Sequence, residues 1–331
     1  MRLLKYISIF LRIYFEIKFQ KKYNKAFLLP YLQQLEIKYN GKFKDEQKHK
    51  ICNVYCFLIT SILCSSYKKL QGKPLTDAER KRATLFSILT PIGDDLFDED
   101  KLDIESIKAI TFNPESYTAT LFSAQVAKEI QTFLLQDIPH KATYLQAAEN
   151  VFNIQIETIK QTSPNISGQE LEYITHTKGA VSVIIYHQCL DEVADEKMKE
   201  VLFLIGSLYQ LGNDIFDIYK DLRDNIYTLA NTCDDYVAFK KYFLERVQLQ
   251  NRKIMELPYA EKNKKEFCFV MNIINARSVV ALDQMVRLQK KLGRKINWRQ
   301  LQRKDMIVDM EKPRNLLRSL YYTYKLPALK I

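Results

Sequence analysis

A chain of 331 residues, 47% of them apolar, has material for a sizeable core and room for one large domain or two smaller ones. Only 8 glycines and 9 prolines, beside abundant Leu, Ile, Lys, Gln and Glu, argue against a sheet protein, so an all-α fold is expected. The formal charge of +11 is uneven: residues 1–50 carry a net +8, residues 286–331 a net +10, and the middle about −7. Basic ends around an acidic centre suit anionic partners or a phosphate-bearing substrate held by both signs; two solvated helical faces would give the same pattern. The 6 cysteines show neither zinc-ligand spacing nor a disulfide framework. They read as reduced core residues of a cytoplasmic protein.

The N-terminal stretch MRLLKYISIFLRIYFEIKFQKKY is apolar, aromatic and basic at once. It lacks the uncharged centre and the small-residue cleavage site of a signal peptide. Residues 1–45 are read as a basic helical extension that packs on its own domain, with a membrane surface as the alternative. The uncharged run ICNVYCFLITSILCSSY, 51–67, is too short to span a bilayer and is expected as a buried core helix. TDAE at 76–79 is a capping box ahead of RKRATLFSILT, and SGQE at 167–170 is another. Between them 116–137 and 140–163 read as helices, parted by DIPHK around Pro139. Helical patterns then run over 197–221 and 259–292, the latter ended by Gly293. Strand-like alternation is nearly absent apart from YNGKF at 39–43. No repeat or Ser/Pro-rich linker divides the chain, so 1–331 is expected to form one domain of roughly ten helices, with 312–331 as a C-terminal tail. In that tail Arg318 and Tyr322 are one helical turn apart; they could reach a bound anion or simply pack.

Five of the eight residues in GDDLFDED, 93–100, are acidic. On a helix Asp94 and Asp98 share a face, and Asp95 stands one turn before Asp98. A second cluster, LGNDIFDIYKDLRDN, covers 211–225. There Asn213, Asp217 and Asp221 recur every four residues on one face, with Asp214 at its edge. Both clusters end apolar helical stretches that should be buried, which would bring the two rows of oxygens into a common cavity. Mg²⁺ prefers such oxygens, taking one or two carboxylates together with substrate phosphate and water. Bound between the rows, it would stabilise a diphosphate leaving group. Acidic helix ends in solvent are the alternative; an EF-hand is a poor match, because DDLFDED lacks the alternating loop pattern.

DDLFD, 94–98, resembles the DDxxD motif of the class I isoprenoid synthase superfamily, which includes trans-prenyltransferases, class I terpene cyclases and head-to-head squalene and phytoene synthases. The resemblance covers about 80–100 and 172–228, and the order of the two motifs on separate helices fits it. NDIFDIYKD resembles the cyclase pattern N-D-x-x-S/T-x-x-K/R-E/D at Asn213, Asp214, Lys220 and Asp221, with Asp217 where a hydroxyl residue is usual. It is also similar to the second motif of chain-elongating prenyltransferases, with Asn213 for the first Asp. Followed by LRDNIY, it resembles phytoene synthase as well. The Arg-Arg-Gly that follows the prenyltransferase motif is absent, Pro91 stands near the place of the phytoene synthase arginine, and no clear C-terminal Arg-Tyr pair of bacterial cyclases is present. THTKGAVSVI, 175–184, resembles the Lys-Thr-Gly segment that contacts diphosphate in prenyltransferases, which makes Lys178 a candidate.

The resemblance implies a helical bundle with a central apolar cavity and a cluster of up to about three Mg²⁺ ions. Asp94, Asp95 and Asp98 would ligate them from one wall, and Asn213, Asp214, Asp217 and Asp221 from the other. Lys178, Lys220 and Arg223 would donate to the diphosphate of a prenyl diphosphate substrate. The aromatic faces of Phe57, Phe86, Tyr186, Tyr209 and Phe216 are candidates for lining a carbocation cavity. The Asn and the Lys–acid pair of the second motif favour a terpene synthase, which cyclises or rearranges the cation, over a prenyltransferase working head-to-tail or head-to-head. No nucleic-acid partner is expected, while a homodimer and a peripheral membrane contact stay open. A reading of another class is a non-catalytic helical protein that binds membranes or nucleic acid through its basic ends.

Overall fold

The computed structural model describes residues 2–98, 100, 102–293 and 296–328. The fold is all-α: 81% is helical, and no strand occurs among the described residues. The chain groups into two compact units, Met1–Glu149 with Ile185–Val193, and Asn150–Ile184 with Ala194–Ile331.

In the first unit α1 (Arg2–Tyr23) continues through a π-helical stretch, Asn24–Leu28, into α2 (Leu29–Lys38). The expected core helix also exists. α3 (Asp45–His49) runs through a π-helical stretch, Lys50–Cys64, into α4 (Ser65–Leu70), and buries Ile51, Cys56, Ile59, Leu63 and Cys64. Taken as one rod over 45–70, it reaches a mean hydropathy of 1.2 over its most apolar 18 residues, long and apolar enough by composition for a span. This departs from the reading of 51–67 as too short. More than half of that window, 56%, is buried inside the fold.

α5 (Asp77–Asp98) starts at the expected capping box. Thr76 N–H donates to the Glu79 carboxylate (2.8 Å), and Glu79 N–H returns a bond to Thr76 Oγ1 (3.2 Å). Arg82, almost fully buried, ties α5 down by donating to the carbonyl of Cys189 (2.8 Å) and to the carboxylates of Asp137 and Asp191. Pro91 lies inside the helix and cannot donate to the carbonyl one turn back, so the acidic turn beyond it is less firmly tied than an uninterrupted helix. α6 (Ile104–Phe112), α7 (Phe122–Asp137) and α8 (Lys141–Glu157) follow, α7 and α8 parted at Pro139 as expected.

The second unit holds most of α9 (Gly168–His187), then α10 (Glu196–Phe216), α11 (Ile218–Arg223), α12 (Leu229–Thr232), α13 (Tyr236–Met255), α14 (Glu261–Leu292), α15 (Arg303–Met306) and α16 (Pro313–Lys325). Its core is built on α10, α13 and α14, where Leu211, Ile215, Phe243, Val247, Val279 and Leu282 are sealed from solvent. α14 ends at Gly293, whose φ of +65° suits a residue without a Cβ. Sixteen α-helical segments occur among the described residues, more than the roughly ten expected. The surplus comes from π-helical interruptions of longer rods and from short helices such as α11, α12 and α15.

Candidate functional site

The first acidic row sits on the last turn of α5. Asp94 is exposed and Asp95 half-buried. The Asp95 carboxylate accepts a hydrogen bond from the Gln47 side chain of α3. Lys50, one turn after Gln47, is held above the ordinary lysine value. Burial works against its charge, but a hydrogen bond to Glu46 and the fields of Asp94 and Asp95 outweigh it. The helix closes when the N–H groups of Asp100 and Leu102 fold back onto the carbonyls of Asp95 (2.8 Å) and Leu96 (3.1 Å). The side chain of Asp98, and Glu99 after it, lie outside the described residues.

The second row begins on α10. The expected continuous helix over 197–221 is interrupted at Asp217, whose φ of −94° and ψ of 7° end α10 before α11 begins. The spacing survives the interruption. Asp217 N–H still donates to the Asn213 carbonyl (2.9 Å), and Asp221 N–H to that of Asp217 (2.8 Å). Asn213, Asp217 and Asp221 therefore stay on one face, and Asn213 Nδ2 donates to Asp217 Oδ2 (3.2 Å).

Asp214 is buried behind that face. Its Oδ1 accepts from Gln210 Nε2 (2.8 Å) and its Oδ2 from Thr175 Oγ1 of α9 (3.4 Å). Burial still pushes its pKa up to about 6, against the lowering influence of these bonds and of the Lys178 charge. Asp221 is pushed further, to about 8, by burial and by the fields of Asp214 and Asp217, which outweigh Lys220 and Lys178. Without a cation, Asp221 therefore holds its proton above the ordinary carboxylate range.

Two glycines bring α9 to this place. A Cβ on Gly179 would stand 2.1 Å from the Gly206 carbonyl oxygen, and one on Gly206 would stand 2.2 Å from that of Gly179. Backbone touches backbone at this crossing, which only glycine allows. Thr175 and Lys178 precede Gly179 on α9, and Asp214 lies two turns beyond Gly206 on α10, so the crossing sets the polar cluster. Lys178 is half-buried and Lys220 exposed. Arg223 stands two residues past Asp221, on another face of α11, where its Nε and Nη2 grip the Asp224 carboxylate (2.8 and 3.1 Å). There it lines a cleft of about 860 Å³ with Tyr219, Leu222, Tyr227 and Trp298. That lining mixes polar and apolar side chains, unlike the apolar cavity a carbocation needs.

Within the first unit the fold gathers Asp94 and Asp95 with Gln47 and Lys50. Within the second it gathers Lys178, Asn213, Asp214, Asp217 and Asp221 with Thr175 and Gln210. Gln210, one turn before Asp214, and Thr175, one turn before Lys178, were within reach of helical spacing. Gln47 carries no such signal, standing 48 residues from its partner Asp95.

Among the described residues no three His, Cys, Asp or Glu side chains are grouped so as to hold one ion. Mg²⁺ needs no such cage, because it keeps waters and shares substrate oxygens. The donors present are all oxygen, as a hard cation requires, and the proton held by Asp221 marks negative charge that a cation would relieve. Of the candidate aromatics, Phe86 and Tyr186 meet edge to face with centroids 4.7 Å apart. Phe57 lies under Lys21 and Phe216 under Arg277, at 5.2 and 5.7 Å. Burial raises the Tyr209 phenol to about 12.

No protein-family model matches this chain, and no curated protein matches it significantly. The resemblance to isoprenoid synthases rests on its motifs alone.

Proposed function

We propose that the protein is a Mg²⁺-dependent class I isoprenoid diphosphate enzyme, and within that class a terpene synthase that ionises an allylic prenyl diphosphate. The carbocation would then cyclise or rearrange. The observation that carries this reading is the acidic cluster of α10 and α11. Burying Asp214 and crowding Asp217 and Asp221 against it costs the fold stability, and raised carboxylate pKa values of this kind are typical of functional sites.

Asn213, Asp217 and Asp221 would hold Mg²⁺ from their shared face, with Asp214 supporting them from behind, and Asp94, Asp95 and Asp98 are proposed as metal ligands on the α5 motif. Bound there, the metal supplies Lewis-acid stabilisation of the departing diphosphate. Asn213 spends its Nδ2 on Asp217, which leaves its amide oxygen for a cation. Lys178, beside Asp214, supplies positive charge for the diphosphate as it leaves, and Lys220 is exposed to do the same. The pairing of Asn213 with the Lys220–Asp221 doublet favours the cyclase over the prenyltransferase.

Diphosphate release tests the reading. Purified protein is incubated with Mg²⁺ and, separately, geranyl, farnesyl and geranylgeranyl diphosphates, with and without isopentenyl diphosphate. Organic extracts are resolved by gas chromatography–mass spectrometry, with Asp95→Ala and Asp217→Ala as controls. Release from a single substrate, with a new hydrocarbon or alcohol, is expected. Release only with isopentenyl diphosphate and a longer chain would assign a chain-elongating prenyltransferase, and coupling of two identical substrates a head-to-head enzyme. No release from folded protein would overturn the enzyme reading for these substrates and favour a non-catalytic helical binding protein.

A further inference from the structure

α16 is amphipathic with its faces reversed. The residues it buries are Asn315, Ser319 and Thr323. The residues it leaves in solvent are Leu316, Leu317, Leu320, Tyr321 and Tyr324, which are 43–66% exposed. These apolar positions form one stripe along the helix.

Polar bonds fix the inward face. Tyr322 donates to the Asp283 carboxylate of α14 (2.6 Å), which Arg318 and Lys240 also contact, and Asn315 Nδ2 donates to the Asp309 carbonyl (2.8 Å). The helix cannot roll its leucines inward without breaking this set. α16 carries no acidic residue, and exposed Lys312, Arg314 and Lys325 flank the stripe.

The first unit carries another helix with an apolar stripe in solvent, although this one also buries Ile9. α1 turns Gln20 inward, where it bonds Asn24 (2.8 Å), Thr84 (3.1 Å) and Arg80 (2.6 Å). It leaves Ile7, Leu11, Tyr14, Phe15 and Phe19 45–59% exposed. Exposed Lys18, Lys21, Lys22 and Lys25 accompany that stripe.

From the α16 face we infer that this helix docks the protein on an anionic lipid surface, and the α1 stripe gives the first unit, taken by itself, a face of the same chemistry. A contiguous apolar face left in water marks an interaction site. The composition selects the occupant. Leu, Phe and Tyr flanked by Lys and Arg match a helix lying in the headgroup region, its apolar side in the acyl boundary and its cations on acidic lipid. Both strongly basic ends of the sequence, +8 over 1–50 and +10 over 286–331, include these helices. The inference uses no part of the diphosphate chemistry and is read without substrate.

The test is sedimentation of the full chain with vesicles of phosphatidylcholine alone and of phosphatidylcholine carrying about 30% phosphatidylserine. Binding to the anionic vesicles is expected, at least about tenfold weaker on neutral vesicles and in high salt. Leu317→Glu/Tyr321→Glu should abolish most of it, and Leu11→Glu/Phe15→Glu should reduce it, with thermal melts unchanged because all four side chains are exposed. A Leu317→Trp variant gives an independent reading: its fluorescence should shift to the blue on anionic vesicles, against the constant background of buried Trp298. No binding, equal binding to both vesicles, binding indifferent to the glutamates, or no blue shift would each overturn the inference. A dimer in sedimentation velocity that Leu317→Glu/Tyr321→Glu dissociates, without vesicle binding, would assign the face to a second copy instead.

Discussion

Replacing Asp221 with Asn should make the metal-free protein more stable at alkaline pH. An unfolded Asp ionises near pH 4, whereas folded Asp221 keeps its proton to about 8. Below about pH 4 the acid is protonated in both states and contributes no difference. As pH rises, the unfolded chain ionises first, so folding loses about 1.4 kcal/mol per pH unit until the folded group also ionises. Above about 8 the deficit is complete and constant. The full shift would give several kcal/mol; solvent screening at the partly exposed Asp221 shrinks the shift and the deficit together, the deficit to about 2 kcal/mol. Asn removes the deficit while keeping the shape of the side chain.

Urea unfolding at about pH 4 and about pH 9 reads this directly. The wild type and Asp221→Asn should coincide at the acidic end, with the variant about 2 kcal/mol more stable at the alkaline end. Mg²⁺ with inorganic diphosphate should then reverse the order. A ligand at a hundred times its Kd adds about 2.7 kcal/mol to the form that binds it, and the variant has lost a ligand group. A variant less stable than wild type at alkaline pH, or a gap that ignores pH, would refute the claim that Asp221 is held in an electrostatically unfavourable place.

Three other substitutions probe the frame of the fold. Gly206→Ala puts a Cβ 2.2 Å from the Gly179 carbonyl, so a loss of about 1–3 kcal/mol or more is expected, and an unchanged melting temperature would contradict the backbone contact. Asp283→Ala leaves Lys240, Arg318 and Tyr322 without their common acceptor; about 3 kcal/mol should be lost, with faster proteolysis at α16, and protection equal to wild type would show that other contacts hold the helix. His187 is buried with neither ring nitrogen bonded, and burial lowers it to about 4. As pH falls below 6.5 the unfolded chain takes the proton first, so the wild type should lose about 3 kcal/mol by pH 4 that His187→Leu keeps; identical acid limbs in urea titrations would exclude this role.

The capping boxes at Thr76 and Ser167, the break at Pro139 and the stop at Gly293 were legible because each depends on residues within a few positions of one another. The interruption at Asp217 was not, since NDIFDIYKD has an unbroken helical pattern and nothing local marks the change of ψ. Asp214 was readable as an edge residue of the acidic face, but not as a buried one, because its burial depends on α9. Thr175 stands 39 residues away and reaches it only because Gly179 and Gly206 let two backbones touch. Arg318 and Tyr322 were correctly one turn apart, yet their spacing could not tell an anion from Asp283, which the fold supplies to both.

Periodicity gave the amphipathic character of α16 but not which face turns inward, and the reason lies in side-chain length. A helix that buries its apolar stripe usually sets long Lys and Glu side chains opposite it, because those reach water. α16 sets Asn315, Ser319 and Thr323 opposite its leucines and tyrosines. Short polar side chains let the backbone approach α14 and can satisfy their hydrogen bonds locally, as Thr323 Oγ1 does on the Ser319 carbonyl (2.9 Å). α1 follows the pattern only in part: Gln20 is buried and bonded to Asn24 just past the helix end, but Ile9 is buried too. Where the polar face of a helix is short and uncharged, as on α16, the polar side can pack inside while the apolar side stays in solvent. On that reading, the positive charge concentrated at the ends of the sequence flanks the two apolar faces that the fold leaves uncovered.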